Sequence, residues 1–298
     1  MRPELLAPAG SPESLRAAVQ NGADAVYLGW GEFNARRGAK NFNDQEFADA
    51  LVYCHARGVK VFLTMNTLLT DRELPAALKT ATEACRLGID ALIIQDWGLL
   101  EVLRQALPDL PLHASTQMDN RTAGKVKFLA EAGFRQVVLA RELSLEQIRK
   151  IHETVPDTPL EVFVHGALCV SYSGQCYASQ ACFGRSANRG ECAQFCRLPF
   201  DLVDADGRII ERGRHLLSLK DMNRSAHLEA MMDAGVRSFK IEGRLKDVTY
   251  VKNVVADYRQ AIDKILDCRP QYKRASQVVS TYTFTPQPDK SFNRGFPA

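Results

Sequence analysis

Short apolar runs, each preceded by a glycine and a polar residue, recur along the chain. The clearest are residues 25–29, 91–95, 136–140 and 238–242, which follow Gly22, Gly88, Gly133 and Gly235. Glycine is the usual C-terminal cap of a helix, and apolar runs of this length are typical of buried strands. The repeat therefore predicts helices that alternate with strands.

Further elements lie between these runs. Strands are predicted at residues 5–8, 61–65, 112–115 and 160–164, and helices at 12–20, 74–86, 99–106, 123–132 and 145–153, the first with Ser11 as its N-cap. Eight strands alternating with helices predict an α/β fold with a parallel sheet, and a closed (β/α)8 TIM-like barrel is the simplest such arrangement. An open, doubly wound sheet is the alternative. No Gly-x-Gly-x-x-Gly follows any strand, which weakens the case for it.

The connection between the seventh and eighth strands is much longer than the others. It spans residues 166–236 and contains five cysteines and a predicted hairpin, residues 200–203 with 208–210 around Asp206-Gly207. Long connections in a compact domain are usually functional, and this one leaves the strand end where such barrels carry their active sites. We predict a barrel domain over residues 1–275, including a cysteine loop at 166–200. Residues 276–298 are predicted to be a tail that begins a region beyond this chain.

Composition and charge narrow the function classes. Of the 298 residues, 46% are hydrophobic and the net charge is only +3, so no strong overall attraction to polyanions is expected. Residues 1–164 carry a net charge of −3 and residues 165–298 one of +6, which favours the second half for an anionic partner. We find neither a signal peptide nor an apolar run long enough to span a membrane, and we expect a cytoplasmic protein without a membrane partner. Eight cysteines in that reducing compartment indicate metal or redox chemistry rather than disulfides.

Four cysteines of the cysteine loop are candidate metal ligands. Cys169, Cys176, Cys192 and Cys196 have the spacing C-x6-C-x15-C-x3-C. Four thiolates can hold a 4Fe-4S cluster, and Arg185, Arg189 and Arg197 would offset its negative charge. A zinc site is an alternative, although the cysteines of zinc sites are usually closer together in the sequence. A set of buried free thiols is a third possibility. Cys182 is a fifth cysteine of uncertain role. Cys54, Cys85 and Cys268 lie in predicted helices and are interpreted as ordinary core or surface residues.

Several sequence blocks resemble a known family. His165-Gly166-Ala167-Leu168-Cys169, followed by Tyr172-Ser173-Gly174-Gln175-Cys176, resembles the signature of peptidase family U32, the collagenase-like family. Gly184-Arg185-Ser186-Ala187-Asn188-Arg189-Gly190 and Cys196-Arg197-Leu198-Pro199 are similar to its branch of 23S rRNA 5-hydroxycytidine synthases, relatives of the tRNA 5-hydroxyuridine synthases. The resemblance covers nearly the whole chain. It implies a barrel with a 4Fe-4S cluster on Cys169, Cys176, Cys192 and Cys196, and an oxygen-independent, prephenate-dependent RNA hydroxylase.

Polar residues at the ends of the predicted strands are candidates for the site. We predict catalytic roles for Arg141, His165, Glu242 and Arg244, and substrate-binding roles for Asn66, Gln95, His113, Ser115, Gln117 and Lys240. A carboxylate such as prephenate would be held by Arg141, Arg244 or Lys240, of which arginine binds carboxylates bidentately. The alternative is that Glu242 with Arg244 or Lys240, and Arg141 with Glu142, form structural ion pairs. His113 and His165 are either acid–base groups or hydrogen-bonded core histidines.

The resemblance implies an enzyme that forms 5-hydroxycytidine in 23S rRNA, with RNA and a small carboxylate as partners. A tRNA 5-hydroxyuridine synthase is the first alternative. A peptidase is a second, although neither a Gly-x-Ser-x-Gly nor a His-Glu-x-x-His motif is present. A nucleophile pair is conceivable from His165 and Cys169, but a cysteine that binds iron could not serve as the nucleophile. A non-catalytic RNA-binding scaffold is a third, and it would leave the convergence of the polar residues unexplained.

Overall fold

Strands and helices alternate along the chain in a computed structural model, which describes residues 1–36, 38–277 and 279–295. The strands are β1 (Glu4–Ala9), β2 (Ala25–Leu28), β3 (Lys60–Met65), β4 (Ala91–Ile94), β5 (Leu112–Ala114), β6 (Gln136–Val138), β7 (Leu160–Gly166), β8 (Phe200–Val203), β9 (Ile209–Arg214), β10 (Met222–Asn223) and β11 (Val236–Ile241). The helices are α1 (Pro12–Gln20), α2 (Asp44–His55), α3 (Leu74–Leu87), α4 (Trp97–Ala106), α5 (Ala123–Glu131), α6 (Leu145–Thr154), α7 (Ala178–Phe183), α8 (Leu228–Asp233) and α9 (Val248–Cys268).

Helix boundaries follow the capping signals of the sequence. The Ser11 side chain accepts a hydrogen bond from the backbone N–H of Ser14 at 3.2 Å, as predicted for the start of α1. Gly88 ends α3 with φ +94°, a left-handed conformation that glycine adopts without a steric penalty. All five predicted helices are confirmed, with ends within two residues of the prediction. Cys54, Cys85 and Cys268 lie in α2, α3 and α9, and their placement in helices is also confirmed.

Eight parallel strands close into a barrel. β1 to β7 pair in chain order, and β11 completes the circle by pairing with β7 on one side and β1 on the other. Lys240 of β11 lies opposite both Leu6 and Phe163. This closure confirms the predicted (β/α)8 TIM-like fold and excludes the open-sheet alternative.

The barrel has an outer and an inner core because successive strand residues point to opposite faces. Leu5, Val26 and Leu63 belong to the large outer core between the strands and the helices. Their neighbours along the strands, such as Leu6 and Phe62, fill the barrel interior. The strands end in loops at what we call the barrel mouth, the end where their carboxyl termini meet.

The predicted insertion between the seventh and eighth barrel strands is confirmed. Between β7 and β11 it carries α7, the antiparallel pair β8–β9, β10 and α8. The hairpin turns where predicted, although β9 continues to Arg214 rather than ending at residue 210. β10 pairs antiparallel with the end of β7, where Met222 lies opposite Gly166.

The segment after residue 275 packs back on the barrel. The Tyr282 hydroxyl donates to the Asn21 carbonyl at 3.1 Å, and the Asp221 N–H donates to the Gly295 carbonyl at 2.9 Å. The division at residue 275 into a barrel domain and a tail stays a prediction. In the described part of the chain, no helix combines the length and apolarity that crossing a membrane requires.

A buried ion pair ties α9 to the start of β2. Arg259 Nη1 lies 3.1 Å from Asp24 Oδ2, both side chains are at most 3% exposed, and the same oxygen accepts the Leu5 N–H at 2.9 Å. Arg259 also lies 2.6 Å from Asp263 and keeps that partner when Asp24 is removed, but the buried Leu5 N–H loses its acceptor. An unsatisfied buried donor costs about 1–3 kcal/mol, and weakening a buried ion pair adds to this cost. We therefore expect Asp24→Ala to lower the free energy of unfolding by about 2 kcal/mol or more in urea denaturation.

Glu83→Ala is the matched control. Glu83 pairs with Arg86 at 2.6 Å, but both side chains are exposed, and solvent screens such pairs. This change should leave the urea midpoint within experimental error. Equal effects of Asp24→Ala and Glu83→Ala would show that the buried pair does not anchor α9.

Candidate active site at the barrel mouth

The carboxylate of Glu242, directly after β11, lies between two arginines. Its Oε2 accepts a hydrogen bond from Arg141 Nη2 at 2.7 Å and another from Arg36 Nη2 at 3.4 Å. Burial alone would raise the pKa of Glu242, but the positive charges of Arg36, Arg141, Arg244 and Lys240 outweigh it and lower the pKa to about 2. Glu242 is therefore ionised at neutral pH and balances part of the surrounding positive charge.

Arg141 is fixed on two sides. Its guanidinium carbon lies 3.9 Å from the centre of the Phe163 ring, and one nitrogen is bonded to Glu242. Its buried Nε has no hydrogen-bond partner among the described residues. The neighbouring Glu142 instead accepts from the N–H and hydroxyl of Ser173, each at 3.0 Å. The structural pair of Arg141 with Glu142 is thus wrong, and Arg141 faces Glu242.

Arg244 is buried close to this pair without sharing its carboxylate. Its Nη1 donates to Thr64 Oγ1 at 2.8 Å and to Asn34 Oδ1 at 3.2 Å. Within the described ranges no carboxylate lies within ion-pair distance of it, so the alternative pair with Glu242 is also wrong. Burial lowers the pKa of Arg244 to about 10, which still leaves it charged at neutral pH. A buried cation that lacks a counter-ion can accept an anionic group of a substrate.

Arg36 is a site residue that the sequence reasoning missed. It lies in the loop after β2, where its N–H donates to Asn34 Oδ1 at 3.0 Å and the N–H of Ala35 donates to Asn66 Oδ1 at 3.1 Å. The charge of Glu242 raises the pKa of Arg36, with smaller contributions from Cys192 and Cys169. Arg36 thus lies between Glu242 and the cysteine loop. Its position after a barrel strand was the only signal in the sequence that could have identified it.

The cysteine loop is docked on the barrel mouth by backbone contacts. Gln95, after β4, donates from Nε2 to the carbonyls of Asn66 and Asn188 at 2.8 and 3.0 Å. A Cβ at Gly174, where φ is +78°, would lie 1.9 Å from the Gln117 carbonyl oxygen, so only glycine allows this approach. Ser115 Oγ accepts the Gln117 N–H at 3.2 Å and shapes that turn. Asn66, Gln95, Ser115 and Gln117 therefore hold the site together, and their binding of substrate stays a prediction.

Two further predicted residues lie deeper in the barrel. Lys240 Nζ is 2.7 Å from Glu161 Oε1, and both side chains are at most 5% exposed. Burial, then the charges of Lys240 and Lys60, lower the pKa of His113 to about 3, and its ring meets Phe62 edge-on. The structure thus gives Lys240 a carboxylate partner, Glu161, that the sequence reasoning did not identify. The roles of both residues toward a substrate stay predictions.

His165 lies against α9. Its ring is 5.5 Å from that of Tyr258 and 5.9 Å from that of Tyr250, and the Asn223 side chain hydrogen-bonds it. Burial, reinforced by Lys246, lowers the pKa of His165 to about 4, so the ring is neutral at neutral pH. Of the four predicted catalytic residues, Arg141, Glu242 and Arg244 form one electrostatic group, whereas the contacts above place His165 in the wall beside it.

The four cysteines proposed as ligands interact with one another. Burial raises the pKa of Cys196, and the charges of Cys169, Cys192 and Cys176 add to the increase. Cys182, in α7, is not among these contributors. Over residues 1–36, 38–277 and 279–295, no three or more His, Cys, Asp or Glu side chains are arranged so that they could hold a metal ion. The structure therefore brings the four thiols into one neighbourhood, and their role as ligands stays a prediction.

The sequence of the chain is similar to those of several named proteins. The chain is 51% identical over 294 residues to the 23S rRNA 5-hydroxycytidine C2501 synthase of Escherichia coli (strain K12), covering 99% of this chain and 44% of that protein. It is 38% identical over 271 residues to tRNA hydroxylation protein P1 of Bacillus subtilis (strain 168), covering 88% of this chain and 63% of that one. The chain thus spans less than half of the first relative and less than two thirds of the second.

A solved structure agrees with the fold. The U32 peptidase Mk0906 superposes with a TM-score of 0.51 at 16% identity, covering 81% of this chain and 92% of that one. At this identity the likeness concerns the fold alone. The model of the family described as Peptidase family U32 matches residues 10–298. The resemblance seen in the sequence is therefore confirmed, and the chain belongs to peptidase family U32.

Proposed function

We propose that this chain is the catalytic barrel of an RNA hydroxylase that forms 5-hydroxycytidine in 23S rRNA in the cytoplasm. The observation that carries the proposal is the 51% identity to the E. coli rRNA synthase, which extends over 99% of this chain. A relative named for tRNA hydroxylation is less similar, at 38% identity. Formation of 5-hydroxyuridine in tRNA is therefore the alternative that the test below must distinguish.

The charges at the barrel mouth suit an anionic substrate. Arg36, Arg141 and Arg244 surround one carboxylate, that of Glu242, so the group keeps a positive excess. The half of the chain from residue 165 onward carries a net charge of +6, which favours RNA phosphates around the mouth. Carbon 5 of a stacked cytosine cannot reach a recess in a barrel, so the base must be flipped out, at a cost of a few kcal/mol.

Two exposed aromatic residues of the cysteine loop could stack on a flipped base. Tyr172 and Tyr177 are 59% and 62% exposed, and the Arg121 guanidinium covers one face of the Tyr172 ring at 4.2 Å. Bases stack on aromatic rings, and each such contact contributes about 1–3 kcal/mol. We assign these rings to the RNA and the arginines at the mouth to smaller anionic groups.

The proposed cofactor is a 4Fe-4S cluster held by Cys169, Cys176, Cys192 and Cys196. Four thiols are the usual donors for such a cluster, and the charges of Cys169, Cys176 and Cys192 act on Cys196, although the described side chains are not arranged as a closed ligand set. The Ser179 hydroxyl lies 4.0 Å from the Cys192 sulfur, where it can donate a weak hydrogen bond. Such a cluster supplies single electrons when bound. The peptidase alternative requires Cys169 as a nucleophile beside His165, whereas His165 packs against Tyr250 and Tyr258 of α9.

The side chains at the mouth have separate tasks in this proposal. Arg244, which lacks a carboxylate partner in the described part of the chain, binds a carboxylate of the co-substrate, proposed to be prephenate. Glu242 orients Arg141 and Arg36 and limits their mutual repulsion. Gly10, after β1, helps to place Arg244, since a Cβ there would lie 1.9 Å from the Arg244 carbonyl oxygen.

Mass spectrometry of rRNA tests the function directly. E. coli cells that lack the native synthase would receive a chimera in which this chain replaces the matching region of that enzyme. The unchanged chimera should restore 5-hydroxycytidine in 23S rRNA, and Arg244→Ala should lower it at least tenfold, because the substrate anion loses a charge-assisted hydrogen bond. Arg86→Ala, at an exposed arginine of α3, is the control and should restore it fully.

Two outcomes would contradict the proposal. If the chimera accumulates at a normal level and gives no 5-hydroxycytidine but restores 5-hydroxyuridine in tRNA, the RNA substrate is tRNA. If Arg244→Ala restores as much 5-hydroxycytidine as Arg86→Ala, Arg244 does not bind the co-substrate.

The ligand assignment is tested by two cysteine variants. Cys176→Ala should lose most of the iron that the anaerobically purified chain contains, since a proposed ligand is removed. Cys182→Ala should retain it, because Cys182 lies in α7 and is not one of the four proposed ligands. Iron would be measured by mass spectrometry of the metal content per chain. Equal iron loss in the two variants would show that the four ligands are assigned wrongly.

A further inference from the structure

A gap opens beside β7, at the barrel mouth. β11 lies along one side of β7, whereas on the other side β6 pairs only with its first half and β10 only with its end. Between the end of β6 and the start of β10, the Val162 and Phe163 side chains line a cavity of about 190 Å³. The cavity therefore exists because β6 ends before the middle of β7, and β10 pairs with β7 only at the end of that strand.

The lining of this cavity combines apolar side chains with basic groups. Its apolar residues come from β7, β10, α6, α8 and the loop between β6 and α6, and comprise Ala140, Leu143, Leu145, Ile148, Val162, Phe163, Met222 and Met231. Arg141, Arg224 and His227 supply basic groups, and none of the described lining residues is acidic. Methionine side chains adapt to the shape of a ligand, and an aromatic ring favours flat partners.

The cationic groups are available to a ligand. Arg224 is fixed through its backbone N–H, which donates to the Val164 carbonyl at 2.9 Å, and its guanidinium has no carboxylate partner in the described part of the chain. Arg141 uses one nitrogen for Glu242 and leaves its buried Nε without a partner. A buried donor without an acceptor costs about 1–3 kcal/mol, which a carboxylate oxygen would relieve.

The volume limits the size of the ligand. An apolar cavity of about 150 Å³ binds benzene, whereas sites for drug-sized ligands measure roughly 300–1,000 Å³. A cavity of about 190 Å³ therefore holds one six-membered ring with its carboxylate, but not a nucleotide, and a longer arm on the ring must extend out of the cavity.

We propose that this cavity binds a small carboxylate built on a single ring, with the ring against Phe163 and Met222 and the carboxylate on Arg224 and Arg141. The inference deepens the proposed function, on which it rests, by placing the ring of the co-substrate beside β7. Arg141 then belongs to both sites, since it lines the cavity and bonds Glu242. The second carboxylate of the co-substrate is then the one assigned to Arg244.

Binding can be measured without RNA by isothermal titration calorimetry of the anaerobic chain. Prephenate and benzoate serve as ring carboxylates, and succinate as a carboxylate without a ring. The chain should bind both ring compounds more tightly than succinate. Arg224→Gln should weaken the binding of both about tenfold or more, because it removes a charge-assisted hydrogen bond.

A second variant and a control complete the test. Leu145→Phe, at the partly buried start of α6, should fill the cavity and weaken benzoate binding while the circular dichroism spectrum stays unchanged. Arg237→Gln, at the opposite end of the barrel, should bind as the unchanged chain does. If Arg224→Gln and Leu145→Phe both bind as tightly as Arg237→Gln, the cavity is not the site. If Arg244→Ala then abolishes prephenate binding, the co-substrate lies at the mouth and the proposed function still stands. Failure of the unchanged chain to bind either ring carboxylate would also overturn the inference.

Discussion

The ionised carboxylate of Glu242 is the interaction on which the rest of the site depends. Three arginines would repel one another in a buried space, and Glu242 offsets this repulsion by accepting hydrogen bonds from two of them. Because its pKa is lowered to about 2, Glu242 stays ionised over the pH range in which proteins are stable. Its negative charge therefore offsets the arginine charges throughout that range. Because Glu242 balances only part of the charge, the mouth retains the positive excess that an anionic substrate requires. The ion pair with Glu242 also holds Arg141 in place between the mouth and the cavity beside β7.

The long insertion between β7 and β11 docks on the mouth, next to the arginines and Glu242. Its docking uses backbone groups rather than apolar side chains, as in the contact of Asn188 with Gln95 and the close approach of Gly174 to Gln117. Backbone contacts of this kind fix the position of the loop, and the proposed cofactor and substrate need such a fixed position. The insertion also adds β10 to the barrel wall, so the elements that bring the cysteines to the mouth create the cavity as well.

The fold was predictable because its signals are local. Ser11 as the first cap, the glycine after α3 and the alternation of strands and helices each act over a few residues, and the structure confirms them. The partners of the site residues were not predictable, since Arg141 and Glu242 are 101 positions apart in the chain and Lys240 and Glu161 are 79 apart. Arg36 lies in a loop without a recognisable motif, and the cavity depends on where two strands stop. Such features arise only from the tertiary arrangement.

We propose that the four thiols of the cysteine loop hold a 4Fe-4S cluster beside this arginine group. The most direct measurement is a Mössbauer spectrum of the anaerobically purified, iron-57-enriched chain, together with counts of iron and acid-labile sulfide. We expect about four irons and four sulfides per chain and the spectrum of a cubane cluster. A chain with one zinc and no sulfide would contradict it, because the cysteines would then form a structural site without redox chemistry.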